Sequence, residues 1–90
     1  MHEFEEEVRE TLRQLHDYRM PFGRFGPANV PPRGRLVYEL PYEYLRWFER
    51  KGYPDGRLGY LMKFVHDVKR DGAEQIFAPL RRARDTPRRT

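Results

Sequence analysis

Arginine and aromatic residues alternate through the middle of the chain, and of the residue types present they are the ones suited to recognising another molecule. Arg24, Arg33, Arg35, Arg46, Arg50, Lys51 and Arg57 interleave with Phe25, Tyr38, Tyr42, Trp47 and Tyr53. A guanidinium neutralises phosphate while an exposed ring stacks on an unpaired base, the combination used by sequence-tolerant single-strand binders. These types point to contact with DNA or RNA. A second use competes for the rings. Phe22, Trp47 and Phe48 are the largest apolar groups available, and a small domain ordinarily buries such groups in its core.

Catalytic chemistry finds less support. Glu39 with Glu43, and Asp67 with Asp71, are spaced to lie near one another. A nuclease, however, needs several carboxylates converging on divalent metal, and helix starts, caps and solvated faces account for such pairs. His2, His16 and His66 share no i, i+4 ligand spacing, which predicts surface or helix-edge positions. Serine and cysteine are both absent, so the commonest hydroxyl and thiol nucleophiles are missing. Gly23, Gly26 and Gly34 could let backbone amides approach a phosphate. No Gly-Lys-Ser/Thr sequence follows them, however, and tight turns are their expected use. The residues predict no catalytic site, no metal and no cofactor.

Elements must position whatever site exists, and 90 residues suffice for one hydrophobic core. With 38% apolar, 14% aromatic and 36% charged residues, the rings must supply much of the buried area. The net charge of +4 is divided unevenly. In residues 1–18, Glu3, Glu5, Glu6, Glu7, Glu10 and Asp17 outnumber Arg9 and Arg13, whereas bases predominate in the body and the tail. Such polarity suits nucleic acid, or an acidic helix docked on a basic body, its own or that of a neighbouring copy. The acidic N-terminus lacks the features of a secretory signal, no apolar run approaches the length of a membrane span, and cysteine is absent. A cytoplasmic protein with no membrane contact is the expectation.

Phe4, Val8, Leu12 and Leu15 fall on one helical stripe, predicting a first helix over residues 3–18, with its acids near the positive end of the helix dipole. Residues 19–41 carry Pro21, Gly23, Gly26, Pro27, Pro31, Pro32, Gly34 and Pro41 and predict a looped segment. Within it, 20–25 and 35–38 could be extended and paired as a small hairpin. Pro41 opens a second helix that ends near Lys51-Gly52. Asp55 caps a third, with Leu58, Leu61, Met62, Val65 and Val68 as its apolar stripe, closing at Gly72. Residues 73–80 form a short fourth helix in which Pro79 is a kink or a new start. Residues 81–90 read as a basic, disordered tail. The chain thus reads as mainly α: one globular domain over 1–80, about four helices, and a hairpin or extended turn motif between the first two. Phe22, Leu36, Leu40 and Trp47 are expected to pack on the third helix.

Met20-Pro21-Phe22-Gly23-Arg24-Phe25, then Arg33-Gly34, then Leu40-Pro41-Tyr42-Glu43-Tyr44-Leu45-Arg46-Trp47 resembles a bacterial pattern, M-P-F-G-K-Y-x-G followed by L-P-x-x-Y-L-x-W. Arg50 to Gly59, including Gly52 and Gly59, resembles its continuation, R-K-G-F-P-x-G-x-L-G. The resemblance covers residues 19–80. It is to an uncharacterised family labelled a "putative quorum-sensing-regulated virulence factor", similar segments of which occur as C-terminal appendages of proofreading-type exonucleases. This chain departs from the pattern by inserting Pro27 to Pro32 and by carrying Arg24 where lysine is common.

The resemblance implies that Met20, Pro21, Phe22, Gly23, Gly34, Leu40, Pro41, Tyr44, Leu45, Trp47, Gly52 and Gly59 are mainly structural. It also implies an accessory setting beside nucleic-acid enzymes. Combined with the basic residues, this favours a non-catalytic module that binds nucleic acid through Arg24, Arg33, Arg35, Arg46, Arg50, Lys51 and Arg57. The alternative is a protein-interaction or regulatory adaptor, a homodimer included, that uses the acidic first helix and the aromatic second one.

Overall fold

The computed structural model describes residues 2–85. Helix α1 (His2–Leu15) buries Leu15 and half-buries Val8 and Leu12, as its stripe requires. It stops short of residue 18. The Tyr18 N–H reaches back only to the Leu15 carbonyl (3.3 Å), and the Tyr18 carbonyl accepts from Val37 N–H at 2.9 Å, so the following residues leave the helix to pair with a distant segment.

That pairing replaces the expected hairpin. Residues 18–20 and 35–37 meet at one isolated antiparallel bridge, Arg19 with Leu36, where Met20 N–H donates to the Arg35 carbonyl at 2.8 Å. Pro21 has no N–H to continue the ladder, and the backbone then turns into short 3-10 segments, Gly23–Phe25 and Val37–Glu39. Arg19 reinforces the crossing from its side chain by donating to the Gly34 carbonyl at 2.7 Å.

Three further helices follow: α2 (Tyr42–Lys51), α3 (Gly56–Arg70) and α4 (Ala78–Asp85). Gly52 ends α2, its N–H donating to the Phe48 carbonyl at 2.6 Å, while Asp55 occupies the cap position of α3 without bonding through its side chain. Among the described residues the architecture is mainly helical with four α-helices, as the periodicities predict.

Helix α3 is the hub. Leu58, Leu61, Met62 and Val65 are buried along it, and it packs chiefly on α2 and on the Val37–Glu39 turn. Leu45 contributes from α2, Leu36, Val37, Tyr38 and Leu40 from the turn region, and Leu15, Met20 and Phe77 close the core. Gly59 allows α3 to start against the preceding chain, because a Cβ there would lie 1.8 Å from the Pro54 carbonyl oxygen.

Two expected core members are not in it. Phe22 is 47% exposed and Trp47 45% exposed, whereas Leu36 and Leu40 are buried as expected. Residues two apart on a helix do not share a face, so burying Leu45 on α3 turns Trp47 outward. At the other position, Met20 and Phe25 take the inward places in the loop that carries Phe22.

The C-terminal part also differs from expectation. Residues 74–77 form a 3-10 turn and α4 begins afresh at Ala78, which places Pro79 in the first turn, where its missing N–H costs nothing. The helix runs on to Asp85, so residues 81–85 of the expected disordered tail are helical; residues 86–90 lie outside the described residues. Arginines hold this extension. Arg84 donates to the His16 carbonyl and lies 3.8 Å from the Asp17 carboxylate, and Arg81 sits over the Tyr38 ring at 5.8 Å.

Candidate functional site: an aromatic groove between two motif segments

The outward turn of Phe22 and Trp47 leaves both rings on the walls of one concavity. An open groove of about 720 Å3 runs between the Gly23–Phe25 turn and the first two turns of α2. Phe22, Gly23, Arg24 and Phe25 line one side, and Pro41, Glu43, Tyr44, Trp47 and Phe48 the other. The two segments that carry the M-P-F-G and L-P-x-x-Y-L-x-W patterns thus form opposite walls of one feature.

The walls are rigidified by ring contacts. Phe25 meets Tyr44 edge-on at 4.7 Å, Tyr44 meets Phe48 at 5.2 Å, and Phe48 meets Trp47 at 5.0 Å. The chain of rings continues inward, from Phe48 to Tyr53 (6.3 Å) and from Tyr53 to His66 (6.5 Å), which stacks on Tyr42 (5.3 Å). Edge-to-face pairs favour defined orientations, so the exposed Trp47 ring is braced from behind by Phe48. Gly23 keeps the approach open, since a Cβ there would come within 3.3 Å of the Tyr44 hydroxyl. Burial raises the Tyr44 phenol above its ordinary value, opposed by the nearby Arg24 charge.

The basic residues separate into groups. Arg24 lines the groove and stands over the Phe25 ring at 5.6 Å. Arg50 and Lys51 are exposed three and four residues after Trp47, which places them one turn further along the groove face of α2, and exposed Arg46 flanks that face three residues after Glu43. Arg35 also stands over Phe25, at 5.8 Å, but its Nε donates to the Glu39 carbonyl at 3.0 Å. Arg33 is exposed in the loop before Gly34.

Arg57 lies elsewhere. It stands over the Tyr60 ring at 5.5 Å in a separate groove with Glu6, Glu7, Glu10, Thr11 and Gln14, where the Thr11 and Tyr60 hydroxyls are 3.2 Å apart.

Of the motif residues, Met20, Leu40 and Leu45 are fully buried, Gly34 and Gly59 are buried glycines, and Pro21 and Gly52 are exposed. Two residues acquire a significance their spacing did not give them. Glu43, paired on the sequence only with Glu39, lines the groove, and its separation of four from Trp47 was the available signal. His66, expected at a surface or helix edge, is 4% exposed, with Nδ1 3.1 Å from Asp67 Oδ1 and 3.9 Å from Glu49 Oε1. Its place in the third helix beside Val65 turns it against Tyr42 and the carboxylate of α2. His16 is exposed, and the His2 side chain lies outside the described residues.

Asp67 and Asp71 are engaged by Arg70, at 3.4 and 3.0 Å. Among the described residues, no three acidic or histidine side chains converge as a metal-ligand set, and no helix is long and apolar enough to cross a membrane.

The family described as "Putative quorum-sensing-regulated virulence factor" matches residues 8–80, taking in the second half of α1 as well as both groove walls. "Uncharacterized protein YpeB" of Escherichia coli (strain K12) is 39% identical over 75 residues, spanning 82% of this chain and 94% of that protein. "Uncharacterized protein YpeB" of Escherichia coli O157:H7 matches to the same extent. No solved structure matches.

Proposed function

This chain belongs to the family described as "Putative quorum-sensing-regulated virulence factor", and from that premise we propose that its motif-walled groove is a non-catalytic binding site for single-stranded nucleic acid. One observation carries the reading: Phe22 and Trp47, rings that a small domain would ordinarily bury, stand about half exposed at the groove, 47% and 45%. Leaving such area in water is unfavourable by the hydrophobic effect unless a partner covers it. Flat exposed rings offer stacking to any base, and Phe48 braces the Trp47 ring from behind. Arg24 within the groove, and Arg46, Arg50 and Lys51 along α2, supply the charge for the phosphates. Arg57, beside three glutamates, is left out of this assignment.

The test is a titration with labelled single- and double-stranded oligonucleotides at several salt concentrations, read by anisotropy and by the fluorescence of the sole tryptophan, Trp47. Single strands are expected to bind in the micromolar range or tighter near physiological salt and to quench Trp47. The Trp47→Ala variant should weaken binding by about 1–3 kcal/mol, the value of one base–aromatic stack, with the fold intact because the ring is outside the core. An unchanged affinity in that variant would remove Trp47 from the site. Light scattering over the same salt series separates the competing reading, in which the acidic α1 of one copy docks on the basic α2 of another. A charge-driven dimer dissociates as ionic strength rises.

A further inference from the structure

A carboxylate is an unexpected lining for a groove that accepts a polyanion. Glu43 is exposed on the groove wall, in the first turn of α2, and its side chain makes no hydrogen bond or ion pair among the described residues. The helix dipole makes an acid favourable in that turn, but the position of Tyr42, in the same turn and outside the groove lining, could have carried such a charge without facing the groove. Its neighbour on the same helical face is Trp47, four residues on. A base stacked on the Trp47 ring would bring its polar edge toward the groups flanking that ring.

Resting on the nucleic-acid reading, we propose that Glu43 makes the groove select an unpaired guanine. The rings cannot distinguish the bases, because each base offers a π face. Edge groups can, and an ionised carboxylate only accepts, with two oxygens side by side. Guanine alone presents two adjacent donors on its pairing edge, N1–H and the N2 amino group, so both oxygens are satisfied together. Adenine and cytosine present one amino group next to a ring nitrogen that accepts, which repels the second oxygen. Uracil and thymine present one N–H between two carbonyls, the least favourable match. The phosphates flanking the stacked base then fall to Arg50 and Lys51, one turn further along α2, away from the carboxylate.

The experiment measures the affinity of the intact chain for short oligothymidines and oligouridines with one central guanosine, adenosine or cytidine, or none. A guanine preference of about tenfold over the unsubstituted strand is expected, the lower end for a bidentate base contact at an exposed site. In Glu43→Ala and Glu43→Gln the preference should vanish while affinity for the unsubstituted strand stays equal or tightens, since an anion has been removed from the groove. Thermal unfolding of both variants establishes that the fold is kept. Equal affinity for all four strands overturns the guanine assignment and leaves the groove a sequence-tolerant site. A preference that survives both substitutions overturns the role of Glu43. Failure of the wild-type chain to bind any strand removes the underlying reading and this inference with it.

Discussion

Tyr53 stands where the rings of the groove pass into the core, between Phe48 and His66, and its hydroxyl lies 3.4 Å from the Leu45 carbonyl, to which it donates. Burial pushes its phenol well above the ordinary value, and the Glu49 and Asp67 carboxylates push the same way. The folded state therefore holds this proton more tightly than the unfolded chain does. The resulting stability is fully present below the unfolded value of about 10 and is lost as the pH rises from there toward the folded value. Urea unfolding between about pH 8 and about pH 11 should show a steeper loss of stability in the wild type than in Tyr53→Phe. Parallel losses would mean that Tyr53 ionises without a cost imposed by the fold. At the same scale, residue types foretold chemistry better than location. The rings and arginines were visible as a binding vocabulary, but the partition that buries Tyr38 and exposes Trp47 was not. It follows from which of two outward-looking positions Leu45 forces on α2, and that depends on a partner helix distant in sequence.

The elements that build the groove depend on a crossing rather than on a sheet. Residues 18–20 and 34–37 are held by a few backbone bonds and by the Arg19 side chain, and Gly34 sits inside this crossing with φ of +92. A Cβ at Gly34 would lie 2.2 Å from the Met20 carbonyl oxygen, which is itself backbone and cannot rotate away. Gly34→Ala combines a disfavoured left-handed conformation with a steric overlap, and together these should lower stability by about 2–4 kcal/mol. Chemical denaturation checks this, and a loss below about 1 kcal/mol would show that the crossing can shift to admit a methyl group. Helices were the legible part of the fold because α3 writes its buried face into Leu58, Leu61, Met62 and Val65 at helical spacing. The segment between α1 and α2 was legible as a loop with turns, but Pro21 and the glycines mark where regular structure stops without specifying the crossing and 3-10 segments that take the place of a hairpin. Likewise, α4 continues past Leu80 because Arg81 and Arg84 find Tyr38 and the end of α1, contacts with no trace in local periodicity.

On the scale of the whole molecule, the question is whether charge acts by amount or by place. The formal charge of +4 would attract a polyanion weakly wherever it lay. The fold instead puts Arg24 in the aromatic groove and exposed Arg46, Arg50 and Lys51 on the helix that forms one of its walls, and it sets Arg57 among the glutamates of α1. Two double reversals separate the cases, because they change the net charge equally. Arg46→Glu with Arg50→Glu alters the groove face, whereas Arg9→Glu with Arg13→Glu alters exposed positions on α1. If three or four phosphates are neutralised at the groove, the logarithm of affinity for a single strand should fall with the logarithm of salt concentration at a slope of about −2 to −3. The α2 reversal should flatten that slope and weaken binding by at least about tenfold, or 1.4 kcal/mol. The α1 reversal should leave the slope as it was and lower affinity only slightly. Equal losses from the two reversals would mean that the groove does not direct the contact and that net charge alone draws the strand in. Loss confined to the α2 pair would place the phosphate path along the helix that carries Trp47 and Glu43, where the stacked base and its edge contact require it to run.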